Sequence, residues 1–244
     1  MFIFKILLFI IRVPLSLLPG TIGQTKSTKQ YSDGVRLQKR GLLEEAIAEY
    51  DKVIEKEPYF VQAYCNRGAA YHQLGQPEKT VQDLTEAIRI RPNLALSYCN
   101  RAMAHGAMRD FGQAIKDMNS AIRLNPKFAD FYSARGYLHK EAGKYRLALR
   151  DFDRALDIDT KFADAYNNRA DVYLSINQPK EAVGDLDEAI RLDRKFAIAY
   201  VNRSFAWTMM GRDTEAQEDV ETAAAMGLDR GIIVAKIEEL KTER

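Results

Sequence analysis

A period of 34 residues runs through most of this chain. One arginine, one aspartate and one tyrosine recur at this step. The series are Arg67, Arg101, Arg135, Arg169 and Arg203; Asp83, Asp117, Asp151, Asp185 and Asp219; and Tyr64, Tyr98, Tyr132, Tyr166 and Tyr200. Such self-similarity indicates stacked copies of one supersecondary unit. Apolar residues recur at helical spacing within the period, so each copy is predicted to be helical.

Counting from Ser27 gives six repeats, and small residues hold fixed places in them. The repeats are 27–60, 61–94, 95–128, 129–162, 163–196 and 197–230. Position 8 is always Gly, Ala or Ser, and positions 20 and 27 are nearly always Ala. Small residues let two antiparallel helices approach closely. Glycine at position 15, as in Gly41 and Gly143, suits a left-handed helix cap.

At these positions, residues 27–230 resemble the tetratricopeptide repeat family. The resemblance implies an all-α fold, a right-handed α-solenoid of six pairs of helices called A and B. Residues 231–244 place Ile233, Ile237 and Leu240 on one helical face, which predicts a capping helix over the last repeat. Residues 1–26 form a separate N-terminal segment and short linker.

Charge and composition exclude several classes of function. The formal net charge is +2. Residues 1–40 alone carry a net charge of +6, so the rest of the chain is negative and the repeats are mildly acidic. Nucleic-acid binding needs a dense basic surface, so no nucleic-acid partner is expected. Phosphate loops, metal-ligand clusters and nucleophile motifs are missing from the sequence, which predicts a non-catalytic protein without cofactor or metal. His105 and His139, at position 11, are interpreted as packing residues.

The two cysteines, Cys65 and Cys99, occupy position 5 of adjacent repeats. Neighbouring A helices lie about 8–10 Å apart, too far for a disulfide in ordinary geometry. Free thiols are therefore expected, and they favour a reducing compartment.

The Arg and Asp series, at positions 7 and 23, are predicted to pair between helices as a structural ladder. A charged binding stripe is the alternative, although ion pairs more often belong to the fold. Arg135 has Asp117 and Asp151 as candidate partners.

An asparagine series stands at position 6: Asn66, Asn100, Asn168 and Asn202, with a break at Ala134. In the tetratricopeptide family this position faces the concave groove. The resemblance implies that these amides, which donate and accept, bind the backbone of an extended peptide. Alternatively, each amide bonds only to a neighbouring helix.

Other groove positions give the surface an acidic middle, formed by Asp130, Glu141, Asp164 and Asp171. Tyr137 and Phe205 are expected to act as aromatic anchors. This composition favours a neutral or basic protein partner. It argues against the chaperone carboxylate clamp of the family, because no repeat carries Lys at position 2.

The N-terminal residues 2–18 are strongly apolar but are interrupted by Arg12 and Pro14. A spanning helix needs about 20 apolar residues. Three interpretations stay open: an uncleaved anchor or signal, an interfacial helix on anionic lipid, or a hydrophobic cap on the first repeat. Basic residues follow, which predicts contact with a membrane through residues 1–20 and repeats on the cytoplasmic side, the alternative being a soluble cytoplasmic protein.

The sequence therefore predicts a scaffold or adaptor that binds a peptide or helix of a partner in its groove. Self-assembly of the repeats, and regulation of a separate enzyme, are the alternatives.

Overall fold

The computed structural model describes residues 26–242, and these form thirteen α-helices and no strand. The A helices are α1 (Lys26–Lys39), α3 (Val61–Gln73), α5 (Ala95–Ala107), α7 (Ala129–Glu141), α9 (Ala163–Ser175) and α11 (Ala197–Met209). The B helices are α2 (Leu43–Lys56), α4 (Pro77–Ile90), α6 (Phe111–Leu124), α8 (Tyr145–Ile158), α10 (Pro179–Leu192) and α12 (Asp213–Ala225), and α13 spans Arg230–Thr242. The predicted all-α repeat fold is confirmed.

The chain divides into two compact units, 1–126 and 127–244. The first unit contains α1–α6 and the second contains α7–α13. In each unit, every A helix packs on the B helix that follows it, and that B helix packs on the next A helix of the unit. Each helix pair therefore buries its apolar surface against a neighbouring pair, as expected for stacked repeats.

Small residues fill the narrow space inside each helix pair. Ala46, Ala114 and Ala148, all at position 20, are fully buried. A Cβ atom added to Gly136 would lie 3.0 Å from the Phe152 ring and 3.2 Å from the backbone oxygen of Ala148. The tight packing of α7 on α8 therefore depends on a residue without a side chain at this point.

A left-handed residue at position 15 follows every A helix, two residues after the last helical residue. Four of these are glycines, Gly41, Gly75, Gly143 and Gly211, with φ between 70° and 79°. The other two repeats place Arg109 (φ 61°) and Asn177 (φ 57°) in the same conformation. The predicted caps are thus present, and the turn geometry is imposed even where the residue is not glycine.

The last repeat is covered by α13. Ile233 and Ile237 are buried there against Val201 and Val220, and Leu240 packs at the edge of the same cluster. The segment thus hides the apolar end of α11 and α12, and its Glu238 and Lys241 are joined by an ion pair on the surface.

Candidate partner-binding surface

The Arg and Asp series meet within each of the last five repeats as buried, two-pronged pairs. Nε and Nη2 of each arginine donate to both carboxylate oxygens of the aspartate sixteen residues later, at 2.6–2.9 Å. Arg135 thus bonds to Asp151, on the B helix of its own repeat. The five aspartates are only 4–7% exposed. This geometry joins helix A to helix B, since bidentate charged pairs are strong and directional.

The third guanidinium nitrogen reaches back to the preceding repeat. Nη1 of Arg169 donates to Asp153, and Nη1 of Arg203 donates to Asp187, both at 2.6 Å. In the first unit, Arg67 reaches Asp51 in the same way, while Arg101 meets the Thr85 hydroxyl at 3.0 Å. A single arginine therefore links three helices, its own and two neighbours. Attraction to the carboxylates raises the pKa of Arg169 and Arg203.

The tyrosine series belongs to the same assembly. Each arginine carbon Cζ lies 5.4–5.8 Å from the ring centroid of the tyrosine three residues earlier. A guanidinium over an aromatic ring is attracted to it. The Tyr, Arg and Asp periods of the sequence thus converge on one repeated contact.

The asparagine series is divided between two kinds of environment. Asn66 Nδ2 donates to the Tyr31 hydroxyl at 2.9 Å, and Asn202 Nδ2 donates to Asn167 Oδ1 at 2.9 Å. Both bonds connect successive A helices. Asn100 and Asn168 are half-buried and make no side-chain hydrogen bond to another of the described residues. Their amides are accordingly the two in the series whose hydrogen-bonding groups are not used by another described side chain.

In the second unit, acidic side chains line one face of two successive A helices. Asp164, Asn168 and Asp171 are spaced i, i+4 and i+7 on α9, which places them on one side of the helix. On α7, Asp130 and Glu141 share the side that carries Tyr137. We call the four carboxylates Asp130, Glu141, Asp164 and Asp171 the acidic face.

Two carboxylates of the acidic face lack a cation. Asp130 and Asp164 are half-buried, and neither forms an ion pair within residues 26–242. Burial, together with repulsion from Asp159 and Asp164, raises the pKa of Asp130. Burial, together with repulsion from Asp193, raises the pKa of Asp164. Both ionised side chains are therefore held in an unfavourable environment that a bound cation would relieve.

The other two carboxylates are joined by Lys140. Its Nζ lies 2.6 Å from Asp171 Oδ2 on α9 and 3.2 Å from Glu141 Oε1. The ammonium also stands 5.3 Å from the centre of the Tyr137 ring. Burial alone would lower the pKa of Lys140, but attraction to the two carboxylates outweighs it and raises that pKa.

Phe205 is not a surface anchor, and that prediction was wrong. The side chain is 5% exposed and packs in the cluster that contains Ile233 and Ile237 of α13. The capping helix α13 packs over position 9 of the last repeat. Tyr137, the other predicted anchor, is half-buried beside Phe152 and Val172.

Cys65 and Cys99 are not joined by a disulfide. Cys99 is buried, and Cys65 Sγ lies 3.4 Å from the Ser97 hydroxyl. His139 is buried in α7 with its Nε2 3.7 Å from Asp151 Oδ2, and burial lowers its pKa. In the described part of the chain, no three His, Cys, Asp or Glu side chains are grouped to hold a metal ion.

Family models match four stretches of the sequence. A model described as a TPR repeat covers residues 34–75, and tetratricopeptide repeat models cover 61–94, 99–161 and 133–195. The chain belongs to the tetratricopeptide repeat family. A comparison with curated protein sequences finds no match.

Solved tetratricopeptide structures resemble this fold. A tetratricopeptide repeat protein from Parabacteroides merdae is 20% identical, with 91% of this chain and 86% of that chain covered and a TM-score of 0.73. PilW, described as a type IV pilus biogenesis factor, is 16% identical, with 83% and 94% covered and a TM-score of 0.74. YrrB, described as having an unusual peptide-binding site, is 16% identical, with 78% and 97% covered and a TM-score of 0.57.

The predicted membrane contact through residues 1–20 lies outside the described residues of this tetratricopeptide protein. No helix within residues 26–242 combines the length and the apolar character needed to cross a membrane.

Two features of the tetratricopeptide surface were missed from the sequence. Asp51, Asp153 and Asp187 share the 34-residue step at position 25, and this series would have revealed the contact between repeats. Lys140 has no counterpart in the periodic series, so only the three-dimensional structure places its ammonium group in the acidic face.

Proposed function

We propose that this protein is a scaffold that holds a neutral or basic segment of another protein on the acidic face of its second unit. The observation that carries this proposal is the pair Asp130 and Asp164. These carboxylates occupy position 2 of successive A helices, are half-buried, and have no ion-pair partner among the described residues. A cationic side chain placed between them would form charge-assisted hydrogen bonds and offset the cost of their burial.

Asn168 supplies the second element of recognition. It lies on the same side of α9 as Asp164, four residues further along, and its amide is unused within the described structure. An amide that both donates and accepts suits the alternating N–H and C=O groups of an extended backbone. The proposed ligand is therefore an extended segment whose main chain meets Asn168 and whose basic side chains meet the carboxylates.

Family membership supports the class of function. Among the solved tetratricopeptide structures, YrrB is described as having a peptide-binding site. The Arg–Asp pairs have no comparable role in this proposal, because their carboxylates are buried and already bonded. We assign those pairs to the frame that fixes the spacing of the A helices.

A displayed library of random peptides tests the proposal. The parent protein is expected to enrich peptides that contain Lys or Arg. The selected peptides are expected to bind the Asp130→Asn/Asp164→Asn variant at least about tenfold more weakly. The reason is that loss of a charged hydrogen bond costs roughly 1.5–3 kcal/mol. Asp157→Asn/Glu181→Gln removes the same charge from exposed positions on α8 and α10 and serves as the matched control. Enrichment of acidic peptides, or equal loss in the control, would refute the proposal.

The variant Asn168→Ala tests the backbone contact separately. It is expected to weaken all selected peptides by a similar factor, whatever their side chains, because the amide reads the main chain. A loss confined to peptides of one sequence would assign Asn168 to side-chain recognition instead.

We further propose that residues 1–20 bring the scaffold to a membrane surface. The support is their apolar sequence and the basic residues that follow. Fractionation of the full-length protein and of a variant lacking residues 1–20 tests this. Recovery of both proteins entirely in the soluble fraction would contradict it.

A further inference from the structure

One cation stands inside the acidic face of the second unit. Lys140 extends from α7 to Asp171 on α9, with Glu141 and the Tyr137 ring completing the surroundings of its ammonium group. Two carboxylates and an aromatic face are the groups that bind an alkylammonium or guanidinium ion. We call Tyr137, Glu141 and Asp171 the ammonium cage.

We propose that the ammonium cage is a subsite for a Lys or Arg side chain of the partner segment, and that Lys140 occupies it in the free protein. This inference rests on the proposed function, and it identifies the side chain that the partner must supply. Lys140 acts as an internal competitor, and the partner's cation displaces it.

The charges of the ammonium cage favour exchange of the Lys140 ammonium for another cation. A single ammonium faces two carboxylates, so the cage retains one net negative charge when Lys140 is bound. The carboxylates are also accessible, since the side chains of Glu141 and Asp171 are 37% and 31% exposed. An incoming guanidinium could bond both carboxylates at once through its planar fork, which the ammonium point charge of lysine cannot match.

Displacement requires the Lys140 side chain, which is 18% exposed in the free protein, to turn out of the cage. Four flexible carbons connect its ammonium to the backbone, so rotation of the side chain can return the charge to water. A site that is free for only a tenth of the time binds its ligand about tenfold more weakly. Removal of Lys140 is therefore expected to strengthen binding of a basic peptide.

The cage can be tested without any peptide. The Lys140→Ala variant lacks three methylene groups and the ammonium of the original side chain, and n-propylammonium supplies these groups. Titration with n-propylammonium chloride is expected to raise the thermal midpoint of Lys140→Ala and to shift the backbone amide signal of Asp171. The parent protein, whose cage is filled, is expected to show neither effect.

Three controls make this result specific. Sodium chloride reports on ionic strength, and 1-propanol reports on filling of the space without charge. The Lys140→Ala/Asp171→Asn variant should not respond to n-propylammonium, because the main carboxylate is gone. An equal response in the parent, in this double variant or with 1-propanol would overturn the proposal.

A second measurement uses a Lys- or Arg-containing peptide selected on the parent protein. Lys140→Ala is expected to bind it about tenfold more tightly, whereas Lys144→Ala, which removes one exposed charge four residues away, should change the affinity much less. Equal gains in the two variants would reduce the role of Lys140 to general electrostatics and would contradict the inference. If n-propylammonium binds Lys140→Ala but no peptide binds the parent, the ammonium cage is a cation site and the proposed function is wrong.

Discussion

Arg169 Nη1 donates to Asp153 Oδ1 at 2.6 Å and so joins the fifth repeat to the fourth. The same guanidinium holds Asp185 of its own repeat through Nε and Nη2. Within the second unit, the arginine series therefore fastens helix pairs internally and, through position 25, to the pair before. These contacts add to the packing that sets the distance between successive A helices.

Thr85 occupies the place of that acidic partner in the second repeat, where Arg101 meets only a hydroxyl. Thr85→Asp is expected to stabilise the protein by about 0.5–1 kcal/mol, a modest value because the corresponding aspartates are half exposed to solvent. Asp153→Thr, the reverse change, should cost a similar amount. Urea unfolding followed by circular dichroism measures both, and opposite signs from those stated would contradict the pairing role.

Removal of Arg169 alone is expected to be much more costly than removal of the whole pair. Arg169→Met leaves the buried Asp185 carboxylate without its cation and should destabilise the protein by about 3 kcal/mol. Adding Asp185→Leu should recover most of that loss, because no charge is then left buried. A double-mutant cycle measures the coupling, and strictly additive losses would show that the pair is not a structural unit.

Measurement of peptide affinity distinguishes the structural role of the Arg–Asp pairs from a role in partner binding. The Arg169→Met/Asp185→Leu variant, once shown to be folded, is expected to bind the selected peptides with nearly unchanged affinity. A large loss of affinity in this variant would favour the alternative in which the Arg and Asp series form a charged binding stripe.

Gly136 is expected to tolerate no side chain. Gly136→Ala should destabilise the protein by about 1–3 kcal/mol, because the added methyl would meet the Phe152 ring and the Ala148 backbone. Gly184, in α10, has no atom within 4 Å of an added Cβ. Gly184→Ala is therefore the matched control, and it should stabilise the protein by roughly 0.8–1 kcal/mol through helix propensity. Equal effects at the two sites would contradict the packing argument.

Asp130 and Asp164 should make stability depend on pH. Their pKa values are raised by folding, so the folded state binds protons more readily than the unfolded state. Stability is then lost as the pH rises from the ordinary aspartate pKa through the raised one. Asp130→Asn/Asp164→Asn should consequently be more stable than the parent at neutral pH, and this advantage should shrink as the pH falls toward about 4.

The same variant is expected to bind basic peptides more weakly while it gains stability. These opposite effects exclude loss of folding as the cause of weaker binding. A variant that is less stable at neutral pH would contradict the unfavourable environment assigned to the two carboxylates. Thermal unfolding between pH 4 and 8 is the measurement.

The roles of the periodic residues could be predicted from the sequence because the same helix packing recurs in each repeat. Small residues at positions 8, 20 and 27 predicted helix pairs, and left-handed position 15 was predicted from its glycines. Arg109 adopts the same conformation, which local propensity does not indicate, whereas Asn177 is of a residue type that favours it.

The non-periodic contacts were harder to predict. Phe205 follows the groove register, but the repeat is the last one and α13 buries it. Asn66 follows the amide register, but Tyr31 in the preceding A helix offers it a hydroxyl partner. Such contacts depend on the particular neighbour of a single repeat. A periodic pattern describes only what the repeats share, so it does not predict these contacts.

A neutral or basic partner segment is proposed to bind the A-helix face of the second unit. The most direct test of this claim is mapping of a selected Lys- or Arg-containing peptide by NMR, with backbone amide shifts followed during titration. The largest changes are expected on α7 and α9, at Asp130, Tyr137, Glu141, Asp164, Asn168 and Asp171. Changes confined to the B helices α8, α10 and α12, or to the first unit, would contradict the claim.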